Sequence, residues 1–269
     1  MRRNGHPESL KTHIITNSDD PLFDCAYDIL NDYFGSRDEM EKRDVIISRF
    51  KWRADEVIND FSMLYQLAYI TDEHNTLAAV GDYSVIVNHS ACNKGQSVVV
   101  HLSHIWVNPK KPGRGIVKHL MHSLTTDAAR LAIKTAKFAT EQPITLVGEM
   151  EPYEAGNEER IRRIKVFLYN GLRLVDPANI QYFQPDFRPA AEIALEQKSM
   201  PVSLYLMLRR VDRESEDTTD ALEIKHIVNC LYHMYAQGLS AKAIEDAYLT
   251  LKAYPLDATP VALFSRLPQ

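Results

Sequence analysis

Before residue 90 the chain alternates between apolar runs typical of strands and apolar faces typical of helices. The pattern predicts a strand, two helices and the two strands of a hairpin, at 13–16, 22–34, 38–52, 62–71 and 76–87. The turn-like sequence Asp72-Glu73-His74-Asn75 separates the two hairpin strands. The first part of the sheet is therefore expected to be antiparallel.

The middle of the chain predicts a change of topology. A long apolar strand at 97–107 leads into a Gly-rich turn, a helix with one apolar face at 116–132 and an apolar strand at 144–147. This order predicts a right-handed, parallel β-α-β crossover. A short basic helix that ends at Asn170-Gly171 and two more strands follow, at 172–175 and 202–211. We predict an α/β (α+β) fold: a mixed, mostly antiparallel sheet with a central parallel crossover and helices on both faces.

The last part of the chain predicts a separate helical unit. Residues 212–220 read DRESEDTTD and are interpreted as a charged linker. Apolar positions at helical spacing then predict an α-helical hairpin, with helices at 222–235 and 240–251. Its apolar face must pack on the rest of the chain or on a second subunit. The predicted division is a domain at 1–211 and a linker with a helical appendage at 212–269.

Composition narrows the class of protein. The chain has 269 residues, of which 45% are hydrophobic and 25% charged, as in soluble globular proteins. Its net charge of −5 argues against a nucleic-acid binder. Three widely spaced cysteines, Cys25, Cys92 and Cys230, indicate reduced thiols rather than disulfides. With no secretory signal and no apolar run of roughly 20 residues, we expect a soluble, cytoplasmic protein that does not bind membranes.

The Gly-rich turn carries the clearest chemical signal. Gly113 and Gly115 let the main chain approach a ligand, and the helix that follows presents unpaired N–H groups at its positive end. Lys110, Lys111 and Arg114 add positive charge, so we predict a phosphorylated cofactor here. The alternative is an ordinary strand-to-helix loop. The turn lacks the Gly-Lys-Ser/Thr of a Walker loop and the third glycine of a dinucleotide fingerprint.

The order of elements, together with this turn, resembles the GNAT-superfamily N-acetyltransferases. The stretch Lys110-Lys111-Pro112-Gly113-Arg114-Gly115 is similar to the family's pyrophosphate loop, (Arg/Gln)-x-x-Gly-x-(Gly/Ala), with Lys110 at the first position. The helix end Val166-Phe167-Leu168-Tyr169-Asn170-Gly171-Leu172 is similar to the family's aromatic-x-x-x-Gly-aromatic pattern. Tyr182-Phe183-Gln184-Pro185 resembles a Tyr-x-Gln-Pro motif of one subgroup. The resemblance covers about residues 10–211.

The resemblance implies acetyl-CoA as the co-substrate and no metal. Its pyrophosphate would lie on the amides of Lys111 through Ile116, and its pantetheine arm would pair with the strand at Ile105–Val107. The cofactor-binding residues implied in this way are Ile105, Trp106, Val107, Lys110, Lys111, Pro112, Gly113, Arg114, Gly115 and Ile116. His119 and His122 are spaced as two metal ligands could be, but no third ligand is evident nearby in the sequence.

Two residues are candidates for the proton transfers. Glu149 ends the second crossover strand, where partial burial would raise its pKa toward that of a useful base. Glu151 is the reserve, and the alternative is that both begin a solvated acidic loop. Tyr169 is the candidate acid, since Phe167 occupies the position where the family often has a tyrosine; core packing is the alternative. His101 and His104 are separated by an odd number, which places them on opposite faces of a regular strand.

These inferences predict an acyl-CoA-dependent N-acyltransferase, with acetyl as the expected acyl group, in which an amine attacks the thioester directly. No serine or cysteine has a sequence setting that indicates an acyl-enzyme. The alternative is a non-catalytic acyl-CoA-binding or interaction module on the same fold. The expected partner is a small-molecule or peptide amine, with a homodimer through a sheet edge or the C-terminal helices as a further possibility.

Overall fold

The computed structural model describes residues 10–35, 39–111, 115–188, 190–196, 198–255 and 257–267. The elements of its first part, in chain order, are β1 (Lys11–Ile15), α1 (Phe23–Phe34), α2 (Arg43–Arg49), β2 (Phe61–Thr71), β3 (Leu77–Asn88), α3 (His89–Cys92) and β4 (Val98–Val107). Helix α4 then comprises Ile116–Lys118, a π-helical segment His119–Leu124 and Thr125–Thr135. Predictions for Pro112, Gly113 and Arg114 fall outside the described residues.

The second part starts with the return strand of the crossover. Its elements are β5 (Ile144–Met150), α5 (Glu158–Tyr169), β6 (Arg173–Val175), β7 (Tyr182–Gln184), α6 (Ala190–Glu196), β8 (Val202–Arg210), β9 (Thr218–Asp220), α7 (Ala221–Tyr235), α8 (Ala241–Thr250), a 3-10 turn (Leu251–Ala253) and β10 (Pro260–Phe264). Strands β7, β9 and β10 and helix α6 were not predicted from the sequence pattern. Each is seven residues long or shorter, which is too short for a clear period.

One sheet joins the ten strands found in the described residues. Its order is β1-β2-β3-β4-β5-β8-β6-β10-β9, with β7 beside β8. Strands β4 and β5 pair in parallel, and the other pairs are antiparallel. The predicted fold class and its central parallel crossover are therefore confirmed, as is the β2–β3 hairpin.

The alternation of side chains along β3 shows how the two faces of the sheet are covered. Val85 belongs to an apolar cluster that includes Leu120 of α4. Ile86, which points the other way, belongs to a cluster that includes Ile227 of α7. Helices α1 and α2 pack on the same face as α7, against the amino-terminal half of β3. Helices α4 and α5 thus cover one face, and α1, α2 and α7 cover the other.

The C-terminal residues take part in this sheet and its core. Strand β9 lies within the stretch interpreted as a linker, and it pairs with β10, which in turn pairs with β6. Helix α7 begins at Asp220, whose side chain accepts a hydrogen bond from the backbone N–H of Glu223. Ile224, Ile227 and Leu231 of α7 are fully buried against the sheet. The sheet therefore extends across the predicted boundary at 211/212.

Within the described ranges, no helix has both the length and the apolar content needed to cross a membrane.

Candidate active site

The two parallel strands separate at their carboxyl ends and leave a cleft. Their pairing ends at His101 opposite Val147, whereas β4 continues to Val107 and β5 continues to Met150. The cleft has a volume of about 1220 Å³, and ligands of open sheets bind at this kind of gap. Residues of α4 and α5 line one side of it, and residues of α1, α2 and α7 line the other.

A β-bulge at Ser103 determines which side chains of β4 face the cleft. In the pairing with β3, Asp82 lies opposite His104 while the next residue of β3 lies opposite Leu102, so Ser103 is an extra residue. Such a bulge reverses the alternation of side chains beyond it. His101 and His104 therefore share a face, and both line the cleft. The prediction that they occupy opposite faces is wrong because it assumed an unbroken two-residue period.

Glu149 of β5 lies at the centre of a buried polar cluster, which we call the Glu149 cluster (His101, Ser103, Glu149, Tyr182, Gln184 and Tyr235). The Glu149 Oε2 atom accepts hydrogen bonds from the Tyr235 hydroxyl at 2.6 Å and from Gln184 Nε2 at 3.1 Å. Its Oε1 atom accepts one from the Tyr182 hydroxyl. His101 Nε2 lies 2.9 Å from Oε2. Three strands and one helix thus converge on a single carboxylate.

These contacts determine the charge of Glu149. Burial alone would raise the pKa of this carboxyl, but the electrostatic attraction of His101 and the hydrogen bonds from His101, Tyr182 and Tyr235 outweigh it. The net direction is a pKa below the usual value, so Glu149 is ionised at neutral pH. The expectation of a raised pKa for Glu149 is therefore wrong, because it considered burial without the hydrogen-bond donors. A carboxylate with a lowered pKa is a weak base.

His101 connects this carboxylate to the cleft. An ionised Glu149 can only accept hydrogen bonds, so in the neutral imidazole it selects the tautomer in which His101 Nε2 carries the proton. In that neutral form the other nitrogen, Nδ1, has a free lone pair, and it lies 3.2 Å from the Ser103 hydroxyl. When His101 carries a second proton, the attraction between the two charges adds to its hydrogen bond with Glu149. Ser103, His101 and Glu149 form a hydroxyl–imidazole–carboxylate series of the kind that transfers protons in acyl-transfer enzymes.

A second histidine–carboxylate pair lies next to the first. His104 Nδ1 is 2.8 Å from Asp82 Oδ1, and His104 Nε2 is 2.9 Å from the backbone carbonyl of Glu39. The Tyr65 hydroxyl donates to the other Asp82 oxygen at 3.0 Å. Burial alone would lower the pKa of His104, but the charge of Asp82 and the two acceptors raise it to about 9. His104 is therefore a buried imidazolium with both N–H groups committed.

Three other acidic groups on the cleft wall are ion-paired with arginines. Glu41 is ion-paired with Arg49, and Asp186 with Arg188 at 2.8 Å. Glu151, the reserve base, is ion-paired with Arg160 at 3.0 Å and with Arg163. The first residues after β5 are thus part of a salt-bridge network, and neither a free base nor a freely solvated acidic loop is found at Glu151.

The predicted acid, Tyr169, is in the wrong place for that role. Its side chain is 91% exposed at the end of α5, and it is not among the residues that line the cleft. Phe167 lines the cleft instead. Its ring packs so closely on β5 that a Cβ built at Gly148 would lie 2.5 Å from it, which explains the glycine at that position. An aromatic ring without a hydroxyl supplies no proton.

The predicted cofactor-binding residues that the structure describes fall into three groups, of which the strand residues and the start of α4 come first. Ile105, Trp106 and Val107 line the cleft along the open edge of β4, as the resemblance implies. Gly115, at φ +69°, precedes the first turn of α4, and Ile116 is fully buried. The left-handed φ favours glycine at this point.

The two lysines before the turn differ from each other. The Lys111 ammonium is bonded to the buried carboxylate of Asp72 on the β2–β3 turn, and this contact lowers the pKa of Asp72 to about 2. Lys111 therefore ties the turn to the sheet and does not supply the mobile charge that was predicted. Lys110 is exposed, and its backbone N–H donates to the side chain of Asn108 at 3.0 Å.

The two histidines of α4 have structural partners. His119 Nε2 lies 3.0 Å from the Thr12 hydroxyl, and His122 Nε2 lies 2.8 Å from the backbone carbonyl of Asn170. In the part of the chain that the structure describes, no group of three or more potential ligands could hold a metal ion.

No protein-family model matches the chain, and no curated protein matches it. One similar solved structure is a protein of Acinetobacter baylyi ADP1 with a provisional acetyltransferase assignment. It is 14% identical, the match covers 76% of this chain and 95% of that chain, and the TM-score is 0.41. Another is a spermidine/spermine N-acetyltransferase of Vibrio cholerae, in mutant forms. It is 10% identical, the match covers 77% of this chain and 100% of that chain, and the TM-score is 0.39. Likeness at this level carries no argument about activity or substrate.

The chain's own topology is more informative. Two helices, an antiparallel hairpin, a long strand, a Gly-rich turn and a parallel crossover follow one another as the resemblance predicted. Of the residues in the Glu149 cluster, sequence reasoning named Glu149 as a candidate and gave no role to His101, Ser103 or Tyr235. Tyr182 and Gln184 were noted as a motif without a role.

Proposed function

We propose that the protein is an acyl-CoA-dependent N-acyltransferase that transfers an acetyl group from acetyl-CoA to an amine. The observation that carries the proposal is the separation of β4 from β5, which opens a cleft between the start of α4 and the Glu149 cluster. A thioester in this gap would have a backbone edge on one side and an acid–base series on the other. Acyl transfer needs both groups.

The donor would occupy the side of the cleft formed by α4 and α5. Its diphosphate would lie at the beginning of α4, where first-turn N–H groups and the helix dipole favour an anion. Its pantetheine arm would follow β4 at Ile105–Val107, beyond the last residue paired with β5. Arg162, an exposed residue of α5 on the cleft wall, is within the same region and could neutralise a phosphate.

The acceptor would approach from the side formed by α1, α2 and α7. Its nitrogen attacks the thioester carbonyl, so that a C–N bond forms and the C–S bond breaks. One proton passes from the nitrogen through the Ser103 hydroxyl to His101 Nδ1, and Glu149 stabilises the positive charge that the imidazole acquires. The departing sulfur takes a proton back along the same path. The proton released when the ammonium first ionises goes to solvent.

The walls of the acceptor side favour an amine with an apolar body. Phe187, Met200 and Val202 line this part of the cleft, and the last two are each 51% exposed. Glu41 and Asp186, two acidic groups nearby, are ion-paired with arginines, so neither offers its carboxylate to a polycation. We propose a primary amine with an aromatic or aliphatic body as the substrate class.

Release of free thiol from acetyl-CoA tests the proposal. The purified full-length chain is incubated with acetyl-CoA and a panel that pairs phenylalkylamines with diamines of similar length. We expect amine-dependent release of CoA, with higher kcat/KM for the phenylalkylamines. The alternative function, a non-catalytic acyl-CoA-binding module, predicts thermal stabilisation by acetyl-CoA without thiol release. If acetyl-CoA causes no thermal stabilisation and no thiol is released, both functions are excluded.

A further inference from the structure

Helix α7 places one tyrosine hydroxyl inside the candidate active site. Tyr235, in the last turn of α7, is 2% exposed. Its hydroxyl donates to Glu149 Oε2 at 2.6 Å and lies 3.4 Å from His101 Nε2. Its ring meets the His101 ring edge-on at 5.7 Å and the Phe187 ring at 5.3 Å. The side chain therefore contacts the acid–base series and the acceptor side of the cleft.

A neighbouring tyrosine on the same helix makes a useful contrast. Tyr232 is equally buried, but its hydroxyl donates to the backbone carbonyl of Phe183 at 2.7 Å and lies 3.1 Å from Thr250 Oγ1. Both side chains fill the core between α7 and the sheet. Of these two hydroxyls, that of Tyr235 is bonded to Glu149 and that of Tyr232 is not, so packing and the contact with the carboxylate can be separated experimentally.

We propose that Tyr235 is a positioning residue of the acyl transfer, which keeps Glu149 charged and oriented so that His101 presents its free nitrogen to Ser103. Helix α7, which lies outside the region of family resemblance, thereby becomes a working part of the proposed active site. This inference rests on the proposed function, because the acid–base role of His101 belongs to that proposal.

Four side chains from three elements surround the carboxylate of Glu149. Glu149 faces His101 from β4, Tyr182 and Gln184 from β7, and Tyr235 from α7. When a buried carboxylate loses a hydrogen-bond donor, its ionised form is destabilised relative to the neutral acid, and its pKa rises. Glu41 also lies near Tyr235, but it is ion-paired with Arg49.

Protonation of Glu149 would change the tautomer of His101. A neutral carboxyl can donate a proton to Nε2, and the imidazole would then carry its own proton on Nδ1. The nitrogen that faces Ser103 would no longer accept a proton. The loss of a hydroxyl at position 235 is thus expected to lower activity most strongly on the acid side of the pH profile.

The test compares Tyr235→Phe with Tyr232→Phe in the full-length chain. Each variant loses one buried hydroxyl and keeps its ring. We measure kcat/KM for thiol release from about pH 4 to about pH 9, with thermal unfolding as the control for packing. For Tyr235→Phe we expect the acidic limb to move up by about one pH unit, so that the loss of kcat/KM approaches about tenfold only at the acid end of the profile, with an unchanged KM for acetyl-CoA. Tyr232→Phe should keep the wild-type limb.

An unchanged acidic limb in a folded Tyr235→Phe variant would overturn the proposal. If this variant does not fold, 3-fluorotyrosine at position 235 provides a second test, because it preserves the shape and is a stronger hydrogen-bond donor. It should move the acidic limb down, and an upward shift or no shift would count against the proposal.

A spectroscopic measurement separates this inference from the proposed function. Infrared titration of the Glu149 carboxyl, assigned by comparison with Glu149→Gln, reports its ionisation without turnover. If the protein releases no thiol with any amine but Tyr235→Phe still raises the pKa of Glu149, then the proposed function fails while the control of the carboxylate by α7 stands. If the pKa is unchanged, the inference fails as well.

Discussion

Two histidine–carboxylate pairs lie side by side on β4, and they differ in what holds the second nitrogen of each ring. In the His104–Asp82 pair, that nitrogen is bonded to the backbone carbonyl of Glu39, so both N–H groups have fixed acceptors. In the His101–Glu149 pair, it faces the Ser103 hydroxyl on the cleft wall. A hydroxyl can both donate and accept, whereas a carbonyl can only accept.

This difference teaches how the same pair of side chains can serve two purposes. The carbonyl stabilises a permanent imidazolium, and His104 fixes α1's following loop to the sheet. The hydroxyl allows a proton to arrive and leave, and His101 can act in catalysis. The carboxylate alone does not determine which histidine can exchange a proton. The group bonded to the second ring nitrogen must be examined as well.

Exchange of each histidine for glutamine gives the largest expected contrast. Glutamine retains a donor for the carboxylate and cannot exchange a proton at neutral pH. We expect His101→Gln to lower kcat/KM by about 10²- to 10⁴-fold with little change in thermal stability. His104→Gln should lower the unfolding temperature and change kcat/KM much less. Equal losses of activity in two stably folded variants would show that the two pairs are not different in kind.

The pH dependence of stability should reveal the second pair. The folded pKa of His104, about 9, lies above its usual value of 6.5. Its contribution to the free energy of unfolding is therefore fully present below pH 6.5 and is lost as the pH rises through about 9, on the order of 1.4 kcal/mol per pKa unit. Chemical denaturation between these pH values measures the loss. Asp82→Asn should flatten this dependence, and a slope that persists in the variant would contradict the assignment.

Removal of the Ser103 hydroxyl should have a smaller effect on the first pair. Ser103→Ala removes one hydrogen bond, and a water molecule can replace the hydroxyl, so we expect about a tenfold loss of kcat/KM. Ser103→Thr, which keeps the hydroxyl, is the matched control. The variant also tests an acyl-enzyme route. Complete loss of activity in Ser103→Ala, together with acetylation of Ser103 in the wild type, would replace direct attack by nucleophilic catalysis.

Tyr169 should show the smallest effect. Its exposed side chain lies outside both pairs, so Tyr169→Phe should keep kcat/KM within about twofold of the wild type at all pH values. Steady-state thiol release checks this. A loss larger than tenfold would restore Tyr169 as the acid and would require α5 to move when substrates bind.

The sequence alone was sufficient to predict the helices and strands whose apolar residues recur at a clear helical or strand spacing. The hairpin, the long strand, the helix after the turn and the parallel crossover were predicted from apolar spacing, and Glu149 was identified because it ends a buried strand. The Glu149 cluster as a whole could not be predicted in this way. Tyr182 and Tyr235 lie 33 and 86 residues from Glu149 in the chain, and only the folded sheet brings them together.

The errors have physical causes that are visible in particular residues. The bulge at Ser103 interrupts the two-residue alternation of side chains along β4, and a single sequence gives no sign of it. The prediction of a raised pKa for Glu149 took account of desolvation and left out the hydrogen-bond donors that oppose it. Tyr235 was counted as part of an apolar helix face, although a buried tyrosine usually needs a partner for its hydroxyl. The need of the Tyr235 hydroxyl for a hydrogen-bond partner was the signal from which its polar contact could have been predicted.

The attachment of α7 and β10 to the sheet has a consequence for the order of events during protein synthesis. A nascent chain can form the hairpin and the crossover while its later residues are still in the ribosome, because domains begin to fold from the amino-terminal side. The carboxylate of Glu149 acquires its last donor only when residue 235 has emerged, and β6 acquires its β10 partner later still. The proposed active site is therefore completed late in translation, after most of the scaffold is in place.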